Sequence, residues 1–230
     1  MIIPKSASLD RIMGESRFMR LDKPVDQVNG LMYVNIPKNA SCWAVHHFMP
    51  ADPYNYYDQG VDPNHHVCLV ILRDPVSRWI SGMGQFLVGH RPNSPWYIDT
   101  TNWDRVLDRM VFDDHTQAQS DFIANIPQDR IVWFRCDSML PTNFVDFLSS
   151  YNIKIDLLPE SNDCDNIFNI TKKVPSKLIE KNNFQAPPQQ EVVDKIVKKL
   201  EQNPQYVERI KQFYQDDFNL YNTVPYYVAR

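Results

Sequence analysis

The chain has 230 residues, 43% hydrophobic and 12% aromatic, which sets disorder aside and fits one sizeable α/β domain over residues 1–230. Its formal net charge is −4 and its pI is near 5.8, which excludes a general coat for nucleic acid or another polyanion. The four cysteines, Cys42, Cys68, Cys136 and Cys164, fit no metal-ligand spacing, and no metal is expected.

Residues 1–29 form a polar lead-in expected to pack over the domain edge. Met1 to Gln27 mixes charged and apolar residues without an apolar core, so no signal peptide, anchor or membrane span is expected and a soluble cytoplasmic protein is. Gly30 to Ile36 is the first predicted strand. Ser41 to Phe48 opens a helix that Pro50 ends, and 51–64 is a loop. Val67-Cys68-Leu69-Val70-Ile71-Leu72 is a continuous apolar run, the pattern of a strand buried on both faces. Arg73-Asp74-Pro75 ends it. A helix follows to Val88, with Pro75 suited to its first turn.

Gly89 to Asn102 is irregular, with Pro92 and Pro95, and reads as a loop facing an acceptor. Short helices are predicted over Trp103 to Val111 and Gln119 to Ile126. Arg130 to Arg135 is a third parallel strand, followed by a helix over Asn143 to Ser150. Asp156 to Asn169 reads as a surface loop, and Lys177 to Lys181 as a short helix. Apolar residues at i, i+3 and i+4 predict helices over Glu191 to Leu200 and Tyr206 to Tyr221. Strands alternating with helices argue for a doubly wound sheet. Lys172, Lys173, Lys177 and Lys181 form a basic cluster that serves either an anionic acceptor or a solvated face.

Two segments carry the chemistry. The first, Pro37-Lys38-Asn39-Ala40-Ser41-Cys42, lies between a strand and a helix. It gathers backbone N–H groups, an ammonium and a hydroxyl around one point, which suits a phosphate or sulfate. It is not a Walker A loop, because no glycine lies between Gly30 and Gly60. The second places Arg73 at a strand's carboxyl end, with Arg78 and Ser81 in the helix after it. Ligands of parallel α/β sheets bind beyond such ends. Two such units imply a ligand with two separate anionic groups. The plainer alternatives are a turn lysine with a helix-capping serine, and a strand-end ion pair of Arg73 with Asp74 or another acid.

These two motifs resemble those of sulfotransferases that use 3′-phosphoadenosine 5′-phosphosulfate, most nearly the Golgi carbohydrate O-sulfotransferases and their bacterial and viral relatives. In that family the first loop reads Pro-Lys-x-(Gly/Ala)-(Ser/Thr) and the second Arg-Asp-Pro-x-x-Arg-x-x-Ser. Here they are Pro37 to Ser41, and Arg73, Asp74, Pro75, Arg78 and Ser81. Asp113-Asp114-His115-Thr116-Gln117-Ala118-Gln119 resembles the family's Asp-x-His-x-x-x-Gln signature. Phe213 to Tyr221 resembles its closing Tyr-x-x-Asp-Phe-x-Leu-Phe helix. Ala40 stands where many members carry glycine.

The resemblance implies a P-loop-like three-layer sandwich with a central parallel sheet flanked by helices. It implies that Pro37, Lys38, Asn39, Ala40, Ser41 and Cys42 hold the 5′-phosphosulfate and that Arg73 and Ser81 hold the 3′-phosphate. It also implies a carbohydrate or similar hydroxyl acceptor and no metal. Lys38 would neutralise the departing phosphate. A general base is expected at His115, beside Asp113 and Asp114, with His46 or His47 in reserve. His65 and His66 precede a strand at its amino end and are placed less favourably, while His90 is a candidate to touch the acceptor from the 89–102 loop. Gln119 is expected to orient acceptor or base, or to lie on a helix surface. Arg135 is expected to contact ligand or form an ion pair, and Trp79 and Trp133 to be core. The competing readings are a small-molecule kinase and a non-catalytic nucleotide- or glycan-binding protein.

Overall fold

A computed structural model describes residues 18–20, 30–41, 43–44, 66–89, 102–151 and 189–229. The strands are β1 (Phe18–Arg20), β2 (Gly30–Val34), β3 (His66–Leu72) and β4 (Ile131–Arg135). They lie in the order β1-β2-β3-β4, with β2, β3 and β4 parallel and β1 antiparallel to β2. The chain is therefore α/β with a small three-stranded parallel sheet. The lead-in contributes an antiparallel edge strand, which polar composition alone did not indicate.

The continuous apolar run of β3 behaves as expected: Cys68 to Leu72 are all 0–1% exposed. Its alternate residues serve opposite faces. Leu69 and Ile71 join Leu31, Tyr33, Trp43 and Phe134, and Cys68, Val70 and Leu72 join Val34, Ile36 and Trp133. Burial pushes the Cys68 thiol up to about 11, so it serves as a small apolar filler.

The helices that lie wholly within the described residues are α1 (Pro75–Gly89), α2 (Trp103–Arg109), α3 (Gln119–Ile123), α4 (Leu140–Ser150), α5 (Gln189–Glu201), α6 (Pro204–Phe213) and α7 (Gln215–Thr223). The first sheet face is covered by α4, through Phe144, Phe147 and Leu148. The second is covered by α3 and by Leu220, Tyr221 and Val224. Helix α1 packs instead with α2, α5 and α6 in a third cluster around Trp79, Met83, Leu107, Ile196 and Ile210. Trp79 and Trp133 are both core, as expected.

Several helix boundaries depart from the sequence pattern: those expected to reach Val111 and Ile126 end at Arg109 and Ile123. Helix α4 begins at Leu140 rather than Asn143, because Pro141 suits its first turn. The helix expected over Tyr206 to Tyr221 starts at Pro204 and breaks at Tyr214, which leaves helical geometry at ψ 30°. The break turns Tyr214 inward, where its hydroxyl donates to the carbonyls of Met110 and Thr116.

Phe134 marks the centre of the first face. Its ring lies 4.7 Å from Phe144, 5.7 Å from Phe147 and 5.8 Å from Tyr227. Phe134→Ala is expected to cost about 3–5 kcal/mol in urea unfolding. A loss below about 1 kcal/mol would show that this face is not the cohesive core.

Candidate active site at the strand ends

The register places β2 and β3 side by side, so the turns after both strands emerge at one edge of the sheet. In the first turn Lys38 has φ 71° and Ala40 has φ 57°, while Asn39 between them keeps a negative φ. Such an alternation is the backbone pattern of anion-binding concavities, and within it the Asn39 N–H is already donated to the Ile36 carbonyl at 3.2 Å. Ala40 thus adopts a left-handed backbone that glycine takes at lower cost. Helix begins at Ser41, and the Ala44 N–H donates to the Ala40 carbonyl at 2.9 Å.

The second turn docks directly on the first. The Arg73 guanidinium donates through Nη1 to the Lys38 carbonyl at 3.2 Å. Burial lowers the pKa of Arg73, opposed by Cys136 and Asp74; a guanidinium stays cationic at neutral pH regardless. Asp74, the alternative ion-pair partner of Arg73, acts on it as a nearby charge and has a further task. Its Oδ1 accepts the Ser77 N–H at 2.8 Å and caps α1.

Gln119, a candidate helix-surface residue in the sequence, is fully buried between the turns. Its Oε1 accepts from the Asn39 side chain at 2.6 Å and from the Arg73 N–H at 3.0 Å. Its Nε2 donates to the Arg73 carbonyl at 2.9 Å. Asn39 also donates to the Ile71 carbonyl at 2.7 Å. Asp217 of α7 holds the start of α3, accepting the N–H groups of Gln119 and Ser120 at 2.8 and 2.9 Å. Burial raises the Asp217 pKa, opposed by those two N–H groups and by Arg78.

One face of α1 collects the remaining groups. Arg78, Ser81, Gly82 and Gln85 follow helical i, i+3, i+4, i+7 spacing. The Lys38 ammonium donates to Gln85 Oε1. Ser81, half-buried, lies one turn before Gln85. A Cβ at Gly82 would fall 2.3 Å from the His115 carbonyl oxygen, so the His115 segment sits directly on α1 there.

His115 is held from one side. Its Nδ1 lies 3.0 Å from Asp113 Oδ2 and 3.0 Å from Asp114 Oδ1. Burial disfavours the charged ring, but the two carboxylates outweigh it and raise the pKa above 6.5. With Nδ1–H committed to carboxylates, Nε2 carries the available lone pair. Asp113, Asp114 and His115 also offer ligand-type atoms within 4.8 Å of one another.

Among the described residues, Arg135 stacks on two tyrosines and forms no ion pair. Its guanidinium carbon lies 4.9 Å from the Tyr221 ring and 4.4 Å from that of Tyr226. Cys42, His46, His47, His65, His90, Cys164, the lysine cluster and most of the 89–102 loop lie outside the described residues. Sequence reasoning missed the bracing roles of Asp217, Tyr214, Gln85 and Gly82. The Tyr-x-x-Asp spacing of the tail was the one available signal.

Among the described residues, no helix is long and apolar enough to cross a membrane. Comparison of the chain with protein-family models, with curated proteins and with solved structures returned no match.

Two substitutions probe this geometry. Ala40→Gly is expected to leave stability unchanged or raise it by about 1 kcal/mol, and Ala40→Val to lower it, because only glycine takes a positive φ without strain. Thermal unfolding decides, and a destabilised Gly variant would contradict the turn. Gly82→Ala must push the His115 carbonyl away from α1. Its effect should appear in amide chemical shifts of Asp113 to Gln117, and an unchanged spectrum there would contradict the contact.

Proposed function

We propose that the chain is a sulfotransferase that moves a sulfuryl group from 3′-phosphoadenosine 5′-phosphosulfate to a hydroxyl of a carbohydrate or similar acceptor. The finer fold assignment, a P-loop-like sandwich, belongs to the same reading. The observation that carries it is the Arg73 guanidinium on the Lys38 carbonyl at 3.2 Å. That contact puts a cationic fork beside an N–H-lined turn, which suits a nucleotide with anionic groups at two ends.

In this mechanism the N–H groups of Ala40 and Ser41 hold the 5′-phosphate, and Ser41 adds a hydroxyl. Arg73 holds the 3′-phosphate as a bidentate partner, and Ser81 donates a further hydrogen bond. His115 Nε2 takes the proton from the acceptor hydroxyl. The acceptor oxygen attacks sulfur in line, an O–S bond forms, and the bond from sulfur to the bridging phosphate oxygen breaks. The Lys38 ammonium leaves Gln85 to neutralise that oxygen as charge develops on it. The products are a sulfate ester and 3′-phosphoadenosine 5′-phosphate.

Asp113 and Asp114 fix the imidazole and stabilise the imidazolium that forms. Because they raise its pKa, the base is fully competent only above the ordinary histidine range. Turnover should therefore rise with pH through a value above 6.5. In Asp113→Asn that rise should move to lower pH; an unmoved profile would exclude His115 as the group responsible.

The decisive experiment is calorimetric titration with 3′-phosphoadenosine 5′-phosphate, followed by labelled-sulfate transfer to a panel of glycans and small alcohols. Arg73→Ala should weaken nucleotide binding about 10- to 100-fold. His115→Ala should bind normally and turn over roughly 10²–10⁴-fold more slowly. Binding without transfer to any acceptor would favour the non-catalytic reading. Activity with ATP that a chelator abolishes would favour a kinase.

A further inference from the structure

Arg78 is a buried cation that the mechanism does not use. It is 2% exposed, and its Nε donates to the Pro37 carbonyl at 3.0 Å. Its Nη2 donates to the Asp114 carbonyl at 3.2 Å, and its Nη1 to that of Gln117. The acceptors thus belong to two separate segments: one immediately precedes Lys38, and the others flank His115. The Phe122 ring backs the guanidinium, 5.8 Å from its carbon.

We propose that Arg78 is a positioning residue that locks the His115 segment to the donor-binding turn, so that filling that turn and placing His115 are coupled. This rests on the sulfotransferase reading. A guanidinium is planar and rigid, so its donors cannot move independently. A displacement of Pro37 by an anion seated on the turn is transmitted through one plane to the carbonyls on either side of His115. A lysine keeps the charge but cannot hold three carbonyls from two segments in a fixed plane. Gly82, beneath the His115 carbonyl, leaves that segment no slack against α1.

The test compares wild type with Arg78→Lys. Affinity for 3′-phosphoadenosine 5′-phosphate should stay within about threefold, because Lys38 and Arg73 remain, while turnover falls about 10²-fold, the cost of a misplaced reacting group. In wild type the product nucleotide should slow amide exchange at Thr116 and Gln117 along with the 38–41 turn; in Arg78→Lys protection should stop at the turn. Wild-type turnover in the variant, or equal losses of affinity and turnover, would overturn the inference while leaving the sulfotransferase reading intact. Should Arg78→Lys fail to fold, wild type decides alone: absence of nucleotide-induced protection at Thr116 and Gln117 overturns the coupling. If the nucleotide does not bind at all, the sulfotransferase reading fails. The His115 ring resonances of ligand-free wild type and variant then decide, and coincident resonances overturn the positioning role.

Discussion

The site depends on one buried amide. Gln119 satisfies both the N–H and the carbonyl of Arg73 and also takes a hydrogen bond from Asn39. It behaves as a one-residue extension of the sheet, joined to the end of β3 where no strand continues. Two turns that follow different strands are thereby set at a fixed separation. Losing the amide would leave a backbone donor and acceptor unpaired in the interior, each costing on the order of 1–3 kcal/mol. The geometry of the candidate site is therefore a by-product of ordinary polar satisfaction.

A second layer of support comes from the far end of the chain. Asp217 and Tyr214, side by side on the inner surface of the broken helix, hold the start of α3 and the carbonyls of Met110 and Thr116. Arg78 lies near enough to Asp217 to oppose the rise in its pKa. A buried acid and a buried base thus stabilise one another across the segment that carries His115, while each spends its hydrogen bonds on backbone. Such a pair resists removal of either member more than it adds net stability.

Much of this was legible in the sequence. The apolar run 67–72, the proline after Arg73 and the strand–turn–helix order located both turns, because burial and capping are local signals. Asp113, Asp114 and His115 were legible as a unit through their adjacency and the signature their segment resembles. The roles of Gln119 and Asp74 were not. A glutamine looks alike on a helix surface and in a buried bridge until its partners are in place, and Asp74 had two local partners to choose from, Arg73 and the Ser77 N–H. The break at Tyr214 was hidden because apolar spacing continues through it; only the inward partners of Tyr214 and Asp217 explain why the axis must turn.

The edges of the sheet carry a consequence of their own. On one side the short strand β1 pairs with β2. On the other, Tyr226 bridges Trp133, and the Tyr227 N–H donates to the Trp133 carbonyl at 2.8 Å. Residues near opposite termini thus act as selvedges, shielding main-chain groups that could otherwise template pairing between molecules. Shortening the polypeptide past Phe18 would strip a border from the sheet and expose it to self-association, whereas a cut before Tyr226 would also remove the Tyr227 ring that packs on Phe134 and Phe147.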